Sequence, residues 1–149
     1  MKSVVKNYAL FAIVLFVLSD LTLNYYDSMV FAKSSKVVKR NDMLEVANVS
    51  EGERIAVGCT GCHSIMKNGQ EKVAPNLFNI VNSRRARSKK FKYSEAFIKQ
   101  RGKKWTVDDL SEFLKDPESY IPGNKMTFSG LSDAQDRMDL IAYLMTLKK

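Results

Sequence analysis

Cys59-Thr60-Gly61-Cys62-His63 is the stretch on which the rest of the chain turns. A C-x-x-C-H pentad is the pattern of covalent haem attachment. Two thiols separated by two residues can each add to one haem vinyl group, and the adjacent imidazole then falls under the ring and binds iron. His63 is the only histidine in the chain. A structural zinc site wants about four Cys or His ligands, whereas the sequence offers two cysteines and one histidine in total. A thioredoxin-like C-x-x-C would sit in a βαβ pattern, which is not visible here, and would leave the histidine unexplained. The bland alternative is two buried cysteines beside a chance histidine, and the residues beyond the pentad decide between them.

The bulk properties leave room for such a domain. The chain has 149 residues, enough for one domain plus an extension. Its 45% apolar and 27% charged content is ordinary for a globular protein. Both cysteines lie inside the pentad, so none remains for a disulfide framework. The net charge of +8 suits an acidic partner or an anionic membrane surface. With no helix-turn-helix, finger or RNA-binding motif in view, nucleic acid is not an expected partner.

The first stretch reads as targeting. Lys2 and Lys6 precede the apolar run Tyr8 to Leu18, which has the length of a signal-peptide core and falls short of the roughly twenty apolar residues of a membrane-spanning helix. Residues 1–32 are therefore a signal peptide or a signal anchor. Val17-Leu18-Ser19 and Val30-Phe31-Ala32 are candidate cleavage sites, and residues 8–23 offer a possible membrane association. Either version delivers the remainder across a membrane, positive end inside. Residues 33–48 are a polar linker or arm, and residues 49–149 the folded domain.

Three helices announce their starts. Ser50 with Glu53 has the form of a capping box, opening a helix that runs into Cys59. Thr106 can cap a second, with Asp108 and Asp109 in its first turn; Leu110, Phe113 and Leu114 form its apolar stripe, and Pro117 ends it. Ser132 with Gln135 suggests a capping box for the third, whose face carries Met138, Ile141, Leu144 and Met145, with Lys148 and Lys149 complementing its carboxyl end. Nothing alternates at period two, so the domain is expected to be all-α.

From Gly52 to Leu147 the chain resembles a class I c-type cytochrome, of the mitochondrial cytochrome c and bacterial cytochrome c2-like family. Ala74-Pro75-Asn76-Leu77 is similar to the family's G-P-N-L, Tyr120 to Met126 (YIPGNKM) to its Y-I-P-G-T-K-M loop, and Arg137 to Leu144 to its last helix. The resemblance implies helices wrapped around one covalently bound haem c. Cys59 and Cys62 would then carry the thioethers and His63 the proximal iron bond. The Pro75 carbonyl would orient the His63 ring, Met126 would supply the distal sulfur, and Tyr93 and Trp105 would donate to the haem propionates. Gly52 and Tyr143 match the contact between the first and last helices. Most methionines merely fill cores, but Met126 sits in a loop made stiff by Pro122 and permissive by Gly123, and no second histidine competes for the iron.

Departures from the family are few. Ala74 replaces a glycine, and Ala56 an aromatic, with Ile55 or Val57 positioned to compensate. Phe113 replaces a tyrosine and Asn124 a threonine. Ser83 stands at the propionate-binding arginine, for which Arg84 or Arg85 could substitute. Of the family's lysines around the haem edge, Lys72 and Lys125 survive. Basic residues gather instead over Arg84–Lys92 and Lys99–Lys104, as a solvated face or as a docking surface that neutralising Arg84, Arg85 and Arg87 would impair.

The expected function is that of an electron carrier rather than an enzyme: a monomeric monohaem protein linking a quinol–cytochrome c reductase to a haem–copper terminal oxidase in a respiratory chain. The leader argues for the bacterial periplasm, with the domain soluble or tethered to the inner membrane. The competing classes are a haem sensor or peroxidase-like enzyme with an open distal site, and a fixed subunit of a larger respiratory complex.

Overall fold

Short helices, most of them opened by a polar capping side chain, account for the architecture of the computed structural model, which describes residues 40–148. In chain order they are α1 (Arg40–Glu45), α2 (Val49–Thr60), α3 (Glu95–Ile98), α4 (Val107–Lys115), α5 (Pro117–Tyr120) and α6 (Ala134–Thr146). Among the described residues the only pairing of extended backbone is an isolated bridge between Arg84 and Lys104, so the fold is all-α. None of these helices is long and apolar enough to cross a membrane. The leader over residues 1–32 lies outside the described residues, as does the arm up to residue 39. The end of the arm is α1, and Leu44 and Ala47 beside it pack on the core.

The helix starts are partly where the sequence places them. Thr106 caps α4 through a reciprocal box with Asp109, as its spacing suggests. For α2 the cap is Asn48, not Ser50: its side-chain oxygen accepts from the Ser50 and Glu51 backbone N–H groups at 3.1 and 3.2 Å. Asp139 explains the shift, because its Oδ1 accepts from the Asn48 N–H at 2.8 Å and ties the start of α2 to α6. For α6 the cap is likewise Asp133 rather than Ser132, accepting from Gln135 and Asp136. The sequence pattern does not reveal α3 and α5, each one turn long and too short to show a period. Ser94 starts α3, and Asp116 starts α5 with Pro117 pre-set in its first turn.

The frame is the crossing of α2 on α6. At Gly52 the two backbones approach so closely that a Cβ there would lie 1.9 Å from the Asp139 carbonyl oxygen and 2.9 Å from Tyr143 Cβ. Ala56, one turn on, is buried, Ile55 packs half-buried against the core, and Val57 is exposed. Met138, Leu140 and Ile141 of α6 are almost wholly enclosed; burying each side chain of this size stabilises by about 1.5–3 kcal/mol. Arg137, also buried, donates to the Leu131, Ser132 and Asp133 carbonyls at 2.7–2.9 Å and to Ser111 Oγ of α4. It thereby turns the chain into α6 and locks α6 to α4.

Candidate haem site

Helix α2 delivers the pentad at its last turn: Cys59 is its penultimate residue, and the Cys59 carbonyl accepts from the N–H groups of Cys62 and His63. The tight turn places Cys62 and His63 three and four residues on from Cys59, one coil of the chain away. Both cysteines are free thiols, Cys62 exposed and Cys59 half-buried. Burial, and then the neighbouring Cys62, push the Cys59 thiol up from its ordinary value.

Two backbone bonds zip the pentad to the segment carrying Pro75: Ala74 N–H to the Cys62 carbonyl at 3.1 Å and Leu77 N–H to the Ser64 carbonyl at 2.8 Å. They bring the Pro75 carbonyl to 2.6 Å from His63 Nδ1. A carbonyl can only accept, so Nδ1 carries the proton and Nε2 keeps its lone pair. Burial holds the imidazole below its ordinary pKa despite the opposing pull of the Pro75 carbonyl, so the ring is neutral at neutral pH. Asn76 braces the same segment, donating to the Met66 and Gly69 carbonyls at 2.9 Å and accepting from Phe78 N–H. Arg87 caps it from the other side through the carbonyls of Asn76, Phe78 and Asn79.

The remaining candidates occupy an aromatic cluster and the loop after it. Trp105 is buried, its ring 5.0 Å from Phe113 and 6.1 Å from Phe97. Half-buried Tyr93 stacks on Phe97, and its hydroxyl accepts from the Ser88 N–H at 3.3 Å. Met126 is half-buried against the core, and its N–H donates to Asn124 Oδ1 at 2.8 Å. The Asn124 amide in turn donates to the Pro117 and Ile121 carbonyls at 2.9 and 3.1 Å. That set of bonds, which no sequence pattern signals, makes residues 117–126 one stiff block.

The basic run divides in a way that its sequence does not foreshadow. Arg84 is exposed, as are Lys89, Lys90 and Lys92, and all four are available to a partner. Arg87 is spent on the segment carrying Pro75. Arg85 is buried, with 2% of its surface exposed. Its guanidinium lies 4.5 Å over the Trp105 ring, pairs with Asp109 at 2.7 Å and donates to the Tyr120 hydroxyl at 2.9 Å. Arg85 is therefore no surface charge, and half-buried Arg87 is held by three carbonyls, so neutralising either tests folding as well as docking. Arg85, so engaged, is no substitute for the propionate-binding arginine, and Arg84 points to solvent. Ser83 Oγ, at that position, is a buried hydroxyl with no protein partner, adjoining Trp105 through its carbonyl, which accepts the Trp105 N–H.

Asp109 gives this cluster a pH signature. Burial pushes its carboxyl up, but hydrogen bonds from Tyr120, Thr106 and Arg85 and the Arg85 charge outweigh that effect and hold it at about 2. A depressed folded-state pKa stabilises above the unfolded value of about 3.9 and is lost as pH falls from there towards 2. Screening of this partly exposed carboxylate reduces the contribution to roughly 1–2 kcal/mol. Asp109→Asn is expected to be less stable than the parent by that amount at neutral pH. The gap in denaturant midpoints should nearly close by about pH 2; a gap constant with pH would contradict the assignment.

The donors present fit a covalently held haem. Two free thiols and a neutral imidazole with a free Nε2 stand on one turn. An unpartnered buried hydroxyl adjoins Trp105. Apolar residues on both the pentad side (Ile65, Leu77) and the loop side (Met126, Phe128) are only half covered by protein.

Comparison with known proteins agrees with this geometry. A family model described as cytochrome c matches residues 49–148. The chain is 38% identical over 108 residues to a cytochrome c homolog of Bradyrhizobium diazoefficiens and 41% identical over 107 to one of Rickettsia prowazekii, covering 72% of this chain in each case. It spans only 58% and 61% of the lengths of those two relatives. To a cytochrome c of Gibberella zeae it is 43% identical over 86 residues, 58% of this chain and 80% of that protein.

Proposed function

The chain belongs to the cytochrome c family, whose members carry covalently attached haem c and act as electron carriers, and we propose that it shuttles single electrons in a respiratory chain. In this proposal the donor is a quinol–cytochrome c reductase and the acceptor a haem–copper terminal oxidase. The place of work is the bacterial periplasm, soluble or tethered to the inner membrane through residues 8–23. The single observation that carries the reading is the His63–Pro75 bond, which leaves an unprotonated Nε2 beside two free thiols.

When bound, the haem iron supplies a one-electron couple between its ferrous and ferric states. Cys59 and Cys62 would hold the macrocycle by thioethers. His63 would bind the proximal side, its ring fixed and made more basic by Pro75. Met126 would bind the distal side, a ligand pair that raises the reduction potential. Tyr93, Trp105 and Ser83 would donate to the haem carboxylates. Exposed Arg84, Lys89, Lys90 and Lys92 would steer an acidic partner in a brief, charge-guided encounter.

The test is the visible spectrum of the purified ferric and ferrous protein, repeated under carbon monoxide. Low-spin spectra, a weak red band of methionine-bound ferric iron and indifference to carbon monoxide are expected. A high-spin component or ready carbon monoxide binding would mean an open distal site, and the carrier reading would yield to a sensor or enzyme.

A further inference from the structure

We propose that Arg85 is a positioning residue for the distal ligand: stacked on Trp105 and joined to Asp109 and Tyr120, it latches the 117–126 block to the domain and so sets how firmly Met126 is held. The proposal rests on the reading of Met126 as the distal ligand.

The geometry has three parts. The block is internally rigid: Asn124 binds the Pro117 and Ile121 carbonyls and the Met126 N–H, and Glu118 Oε1 accepts from the Gly123 N–H at 3.0 Å. A rigid block moves as a unit, so what fastens its start also governs its end. It is seated on its apolar side by Pro117 and Ile121, both buried. Near its start the Tyr120 hydroxyl donates to Asp109 Oδ1 and accepts from Arg85.

Arg85 is itself held from several sides. Besides Asp109 and Tyr120, its Nε donates to the Lys104 carbonyl at 3.1 Å and its Nη1 to Gln100 Oε1 at 3.3 Å. The guanidinium is sandwiched near two rings, 4.5 Å from the Trp105 centroid and 5.3 Å from that of Tyr120. A planar fork making four directed bonds and stacking on aromatics uses the properties that distinguish arginine from lysine. One side chain thus joins the loop before α3, the loop after it, the first turn of α4 and α5. A guanidinium serving only as a solubilising charge has no need of burial or of these partners.

The experiment uses the ferric holoprotein and measures imidazole binding at the iron, which requires Met126 to leave, beside global unfolding followed by far-ultraviolet circular dichroism. If the block opens more often, the apparent imidazole affinity rises in proportion to the opened fraction. Arg85→Gln is expected to raise that affinity by about tenfold or more, and Arg85→Lys, keeping charge but not the fork, by nearly as much. Tyr120→Phe serves if the arginine variants do not fold. It changes no charge, so a roughly threefold rise there cannot come from an altered field at the iron. Affinities within about twofold of the parent in the folded variants, even with a lowered unfolding midpoint, would overturn the latch and leave Arg85 a merely structural residue. Failure of the underlying reading looks different: the parent would lack the red methionine band, and Met126→Ala would leave imidazole affinity unchanged.

Discussion

Gly52→Ala is expected to lower the thermal midpoint of the holoprotein by about ten degrees. The added Cβ would stand 1.9 Å from a backbone carbonyl oxygen of α6 and 2.9 Å from Tyr143 Cβ, neither of which is the free end of a flexible chain. Overpacking typically costs about 1–3 kcal/mol, and a clash with the α6 backbone, which cannot swing aside as a side chain can, belongs at or above the top of that range. Alanine returns roughly 1 kcal/mol through its better helix propensity, leaving about 2 kcal/mol net. For a domain of this size each kcal/mol moves the midpoint by about 4–8 °C. Gly58 in the same helix is the control, since a Cβ there meets nothing within 4 Å. Gly58→Ala should stabilise by roughly 0.5–1 kcal/mol. Equal behaviour of the two alanine variants would show that the α2–α6 crossing is looser than described.

Replacing Cys59 and Cys62 together by alanine should abolish covalent haem retention. Each thioether forms when a thiol S–H adds across a vinyl double bond, sulfur to one carbon and hydrogen to the other, so no oxidant or reductant is consumed. With both sulfurs gone, only iron ligation and apolar contact remain, and a denaturing gel stained for haem should show no band at the position of the chain. Each single variant should keep the band, with its ferrous visible maximum at longer wavelength because one vinyl group stays conjugated to the ring. The double variant should also be less stable to denaturant, because a haem no longer tied to the chain can dissociate and leave Ile65, Leu77, Met126 and Phe128 only half covered. A haem-stained band surviving in the double variant would require an attachment other than the pentad.

Local patterns were legible where a pattern is long enough to repeat. The apolar stripes of α4 and α6 and the Thr106 cap could be placed from the chain's own pattern, and the Gly52–Tyr143 contact from its resemblance to the family. Caps were less so, because several side chains near a helix start are chemically competent and a distant group selects among them. Asn48 prevails over Ser50 because Asp139, ninety-one residues away in sequence, accepts its N–H. The one-turn helices α3 and α5 had no period to read. The basic run was the least legible: three arginines within four residues look like one solvated patch, yet they point to solvent, to the Tyr120 block and to the Pro75 segment in turn.

Sequence by itself determined the all-α class, the haem pentad and its sole histidine, because those depend on residue type and short spacing. Tertiary structure alone decided which nitrogen of His63 is free, which arginines are buried and how the Met126 loop is held. Each of these is set by partners brought together from far along the chain, and a buried charge or a tautomer has meaning only through the partner it meets.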